Sequence, residues 1–165
     1  MGQLTESGKL SVDTDRRHDR RELTADELRK LLQAAFASER VICRMNGQDR
    51  GALYAMAAGT GFRASALASL TPENFDLDAD LPTVTLAAQF NKSRKAMVQP
   101  LPPELVNLLR DFLHDKPANK RLWGGNWARD KRGAEMLRID LGAASIIRRR
   151  WPGWPVIRRF PSFTA

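Results

Sequence analysis

The sequence contains very little of several residue types on which catalytic sites and covalent frameworks depend. Its 165 residues include one cysteine, one tyrosine and two histidines. Because Cys43 has no partner in the chain, an internal disulfide is excluded, and a reducing compartment is favoured. His18 has no cysteine or histidine nearby at ligand spacing. We therefore expect no metal site and no cofactor.

Long apolar runs are also missing from the sequence. No stretch approaches the roughly 20 apolar residues that are needed to cross a bilayer. Residues 1–22 are polar and charged and have no signal-peptide core. We therefore expect no membrane partner and a cytoplasmic location.

Basic residues, by contrast, are abundant. Lysine and arginine number 27 against 19 acidic residues, which gives a formal net charge of +8. Such an excess favours a polyanionic partner such as nucleic acid, although it says nothing about the fold. With 42% hydrophobic residues the chain can build the core of one domain.

Apolar periodicity predicts an α+β fold that is mainly α. Thr24 and Glu27 match a capping box at the start of a first helix, which carries Leu28, Leu31 and Leu32 at helical spacing. Strands are predicted over 82–88 and 96–101, forming an antiparallel hairpin with a basic tip. Further helices are predicted over about residues 49–58, 63–70, 102–113 and 127–149, with another helix start at 71–73.

Arg63 lies just after a Gly-Thr-Gly break, at the start of a short apolar helix. An arginine held there by packed neighbours can bind a phosphate, whereas a single arginine at a helix start is more often a solvated side chain. Tyr54 lies on an apolar helix, and we interpret it as a core residue rather than a nucleophile. The hairpin tip, which includes Arg94 and Lys95, is by itself typical of a solvated turn.

The two ends of the chain differ from its middle. Residues 1–22 are read as a basic arm or linker, for which a strap along a DNA backbone and a solvated tail are equally favoured. Residues 148–165 are rich in tryptophan, proline and arginine and show no helical or strand period. They suit either a nucleic-acid-binding tail or a sequence that no longer encodes an evolved fold, and we favour the latter.

Taken together, these stretches resemble the first part of the catalytic domain of the tyrosine recombinase (phage integrase) family. The resemblance covers about residues 20–145 and rests on the order of RELTADEL at 21–28, AGTGFR at 58–63, ALASL at 66–70, KSRK at 92–95 and QPLP at 99–102. It implies a partial catalytic domain over 23–147 with a small antiparallel sheet. The implied partners are double-stranded DNA and other recombinase protomers.

The resemblance also implies a chemistry for individual residues. In this family a tyrosine attacks a DNA phosphodiester and forms a 3′-phosphotyrosyl link, while fixed cations neutralise the phosphoryl oxygens. Arg63 matches the first catalytic arginine, whose planar guanidinium can contact two phosphate oxygens. Lys92 matches the hairpin lysine that acts as general acid, with Lys95 as the competing candidate. Arg63, Lys92, Arg94 and Lys95 are the expected DNA-binding residues.

Other family features are missing from this sequence. No His-x-x-Arg follows Lys92, no tyrosine follows Tyr54, and the usual N-terminal DNA-clamping domain is not found. We interpret the chain as a truncated recombinase that ends in a shifted reading frame and does not cleave DNA alone. Two alternatives remain open, a non-catalytic DNA-binding regulator and a basic structural protein without a DNA role.

Overall fold

A computed structural model describes residues 22–91 and 93–146. These residues form helices α1 (Ala25–Phe36), α2 (Gly47–Thr60), α3 (Ala64–Leu67), α4 (Pro103–Leu113) and α5 (Gly133–Ala143), and strands β1 (Phe75–Asp76), β2 (Thr83–Leu86) and β3 (Met97–Pro100). The expected mainly helical α+β class is confirmed. The expectations for the basic arm and for the tail over 148–165 lie outside the described residues, apart from Glu22.

The capping box at the first helix is formed as the sequence predicts. The Thr24 hydroxyl accepts the Glu27 amide at 3.2 Å, and the Glu27 carboxylate accepts the Thr24 amide at 3.0 Å. Each bond satisfies an amide that a helix start would otherwise leave unpaired. Leu31 and Ala35 then lie on the buried face, which packs against α2 and α5.

Helix α2 is the centre of the core, with every residue from Gly51 to Met56 buried. It is longer than predicted at both ends. Asn46 caps the helix by accepting the Asp49 amide at 2.8 Å, so the helix begins at Gly47. Gly59, which the sequence suggested as a stop, lies inside the helix, where a Cβ atom would come within 2.7 Å of Leu105 on α4. The small residue therefore allows the two helices to pack closely.

The sheet is three-stranded and antiparallel, in the order β1-β2-β3. The predicted hairpin is confirmed with shorter strands, in which Val84 pairs with Gln99 and Leu86 pairs with Met97. Val84 and Leu86 are buried in the hydrophobic core. The two-residue strand β1 was not predicted, because its length carries no periodicity.

The prediction of one helix over 127–149 was wrong at both ends, because α5 begins only at Gly133 and ends at Ala143. Residues 126–132 form a separate turn, in which the Arg132 amide donates to the Trp127 carbonyl at 2.8 Å. Lys131 adopts a left-handed conformation with φ of 55°. A left-handed residue combined with this bond closes a helical turn rather than extending it.

Candidate functional site

The turn between α2 and α3 positions the candidate phosphate-binding arginine. Gly61 ends α2 in the left-handed region, with φ of 68°, and its amide donates to the Ala57 carbonyl at 3.0 Å. The Thr60 hydroxyl donates to the Met56 carbonyl at 2.7 Å and accepts the Phe62 amide at 3.2 Å. The predicted glycine break is thus confirmed at Gly61, and a braced turn leads directly into Arg63.

Arg63 is exposed and occupies the N-cap position of α3, with φ of −69° and ψ of 156°. Its side chain makes no hydrogen bond or ion pair with any residue in the described parts of the chain. The helix that follows ends at Leu67 rather than at the predicted Leu70. Just after it, the Ser69 hydroxyl donates to the Ala66 carbonyl at 2.7 Å. The backbone of Arg63 is therefore held while its guanidinium remains available to a ligand.

The hairpin is bonded to this same turn. The side-chain amide of Gln99, in β3, donates to the Thr60 carbonyl at 3.2 Å. Thr60 is three residues before Arg63, and Gln99 pairs with the buried Val84 in the centre of the sheet. The structure thereby brings the hairpin, which the sequence placed 30 residues further along, against the arginine turn.

The tip of the hairpin is a bonded turn that presents cations. The Asn91 side-chain amide donates to the Lys95 carbonyl at 2.8 Å, and the Arg94 amide donates to the Asn91 carbonyl at 3.0 Å. Arg94 has a left-handed backbone with φ of 54°, and both Arg94 and Lys95 are exposed. Lys92 lies outside the described residues, so its assigned role stays a prediction.

Tyr54 is a core residue, as predicted. Its hydroxyl donates to the Asp140 carboxylate at 2.7 Å, and the residue is only 8% exposed. Burial, followed by the hydrogen bond to Asp140, raises the pKa of the Tyr54 phenol well above its usual value. A phenol that is buried, bonded and held protonated in this way is a poor nucleophile.

Asp140 also binds a fully buried arginine that the sequence analysis missed. Arg50, on α2, donates its Nε to Asp140 at 2.8 Å and its Nη2 to the other carboxylate oxygen at 3.1 Å. Nη1 donates to the carbonyls of Arg40 and Met45, and Nη2 also reaches the Ser38 hydroxyl. The only sequence signal is a charged residue within an apolar helix, and its partner lies 90 positions away.

Charge is distributed unevenly along the chain. Residues 22–146 carry 17 lysines and arginines against 15 acidic residues, a net charge of only +2, whereas residues 147–165 contain five arginines and no acid. The excess of basic over acidic residues in the folded part is therefore small.

The described residues contain no group of three or more His, Cys, Asp or Glu side chains that could hold a metal ion. Within the same residues, no helix combines the length and apolarity required to span a bilayer. Comparison with protein-family models, with curated proteins and with solved structures found no match to this chain. The class defined by the fold is a mainly helical α+β domain with a small antiparallel sheet.

Proposed function

We propose that this chain is a DNA-binding fragment of a site-specific tyrosine recombinase that does not cleave DNA by itself. In this proposal Arg63 and the cations of the hairpin tip contact backbone phosphates of duplex DNA. Lys92 belongs to the same group through its position in the family resemblance. The remaining support comes from the order of the sequence motifs and from the geometry around Arg63.

The observation that carries the proposal is the bond between Gln99 and the Thr60 carbonyl. The family resemblance requires an arginine from one stretch and a basic hairpin from another to act on one phosphate. That bond connects the strand of the basic hairpin to the turn that presents Arg63. It is a tertiary contact between the two stretches that the resemblance pairs, and it supports the proposal for that reason.

The chemistry of the exposed groups suits phosphate. The Arg63 guanidinium has no competing partner among the described residues, and its planar donors match two phosphate oxygens. Arg94 and Lys95 add point charges on a bonded turn. Contacts of this kind neutralise phosphates and release counterions, so the binding they give is salt-dependent and indifferent to sequence.

A nucleophile is the missing part of the reaction. Transfer of a DNA strand to the protein requires an accessible phenol near the phosphate, and the hydroxyl of Tyr54, the only tyrosine in the sequence, is bonded to Asp140. We therefore propose binding without covalent attachment.

Fluorescence anisotropy with a labelled duplex tests the binding. Removal of one phosphate contact lowers affinity about three- to tenfold at moderate salt, so Arg63→Gln should weaken binding by that factor. Lys30→Gln, which removes one exposed charge from α1, is the matched control and should bind like the parent. Equal affinities for the parent and both variants would overturn the proposal.

Two further assays separate this proposal from the alternatives. A radiolabelled nicked duplex should remain free of protein after denaturation, and a covalent adduct would show that the chain does cleave DNA. Footprinting on long DNA should give weak and uniform protection. Discrete protected sites would instead favour a regulator that occupies recombinase sites without cutting.

A further inference from the structure

A groove with an apolar floor and an acidic rim lies between α1, the start of α2 and the end of α4. It encloses about 450 Å³. Phe36, Leu108 and Phe112 supply its half-buried apolar surface, and three carboxylates stand among the lining residues, Asp49, Asp111 and Asp115. Neither the proposed DNA contacts nor the buried Arg50 network uses this groove.

One cation of the chain already shows how the groove holds positive charge. The Lys116 ammonium lies 4.4 Å from the centre of the Phe112 ring and 2.9 Å from an Asp49 oxygen. An aromatic face and a carboxylate together stabilise a partly desolvated cation. Asp111 and Asp115 are both exposed. His114 Nδ1 lies 2.9 Å from one Asp115 oxygen, so the other Asp115 oxygen and the Asp111 carboxylate are left for a second cationic group.

We propose that this groove binds the arginine- and tryptophan-rich segment 147–165 of the same chain. This segment holds five arginines and no acidic residue, and it includes Trp151 and Trp154. Arginine side chains complement the carboxylates on the rim, and an indole ring complements the apolar floor. The other end of the chain fits less well, since its residues 1–21 carry five basic and four acidic side chains.

The segment is long enough to reach the groove. Asp140 binds Arg50, which is adjacent to the groove residue Asp49, and the described chain ends six residues after Asp140, at Ile146. Nineteen further residues span up to about 65 Å when extended. A domain of this size measures only about 40 Å across.

Photo-crosslinking in the full-length chain tests this inference, with p-benzoylphenylalanine introduced in place of Trp151. After irradiation of the purified protein without DNA, mass spectrometry should locate the adducts on peptides that carry Phe36, Leu108 or Phe112. Asp111→Asn combined with Asp115→Asn should lower the adduct yield about fivefold, because it removes two partly exposed ion pairs. Glu73→Gln combined with Asp80→Asn changes the net charge equally away from the groove and should leave the yield unchanged.

Several results would overturn the proposal. Adducts located elsewhere, or a yield that the groove variant does not lower while its circular dichroism matches the parent, would show that the groove is not the docking site. Adducts found only between two chains, seen as a band of doubled mass, would contradict docking within one chain. Adducts formed only with added duplex DNA would assign the segment to nucleic acid instead.

Discussion

Replacing Asp140 tests the internal ion pair on which the helical core depends. Asp140 is 1% exposed and accepts three hydrogen bonds, two from Arg50 and one from Tyr54. Asp140→Asn keeps the shape of the side chain but removes its charge. The change therefore preserves packing while it removes the charge and one accepting oxygen, since the amide nitrogen of Asn only donates.

The expected magnitude follows from what remains around Arg50. In the variant, a guanidinium that is 0% exposed keeps its bonds to two carbonyls and one hydroxyl but loses its counter-charge. Breaking a buried ion pair by removing one partner destabilises a protein by about 3–5 kcal/mol. Because a domain is stable by only about 5–15 kcal/mol, Asp140→Asn should remove at least about a fifth of the free energy of unfolding.

Urea unfolding followed by tryptophan fluorescence measures this loss, since Trp123 and Trp127 are both buried. The control Asp78→Asn breaks the exposed ion pair with Arg110 and should leave the urea midpoint near that of the parent. The double variant Arg50→Met with Asp140→Leu should be less destabilised than Asp140→Asn, because no unpaired charge stays buried. A loss below about 1 kcal/mol for Asp140→Asn would refute the reasoning.

Three more predictions concern other parts of the molecule. The folded chain keeps the Tyr54 proton at a pH where the unfolded chain loses it, so the free energy of unfolding should fall as the pH rises above about 10. The urea midpoint should fall less steeply with pH for Tyr54→Phe than for the parent, and equal slopes for the two proteins would argue against this. Gly125 has φ of 80°, and a Cβ atom at this position would lie 2.2 Å from the Cys43 carbonyl oxygen. Gly125→Ala should therefore lower the free energy of unfolding by about 3 kcal/mol in thermal unfolding. A change below about 1 kcal/mol would show that the loop can adjust. Gln99→Leu breaks the bond to Thr60 and should weaken duplex binding about two- to fivefold in anisotropy; unchanged affinity would contradict the coupling of hairpin and turn.

Local signals in the sequence were sufficient for the elements with strong periodicity or strong caps. Thr24 and Glu27 fixed the start of α1, and Gly61 fixed the end of α2, because in each case neighbouring residues decide the backbone conformation. The basic hairpin was predicted for the same reason. The late start of α5 was missed, because a left-handed lysine at position 131 has no signature in composition.

The candidate site was predictable only in part. Arg63 and the hairpin cations could be selected from the sequence, but the bond from Gln99 to Thr60 joins residues 39 positions apart. The pairing of Arg50 with Asp140 spans 90 positions. Contacts at such separations arise from tertiary packing, and local pattern alone carries no information about them.

The central claim is that Arg63, Arg94 and Lys95 form one phosphate-binding surface, and its most direct test is the salt dependence of duplex binding. The triple variant Arg63→Gln, Arg94→Gln and Lys95→Gln should reduce the slope of log affinity against log salt by nearly 3, at about 0.9 for each lost phosphate contact. A slope that stays within about 0.5 of the parent, in a variant with the parent's circular dichroism, would show that these cations do not contact DNA.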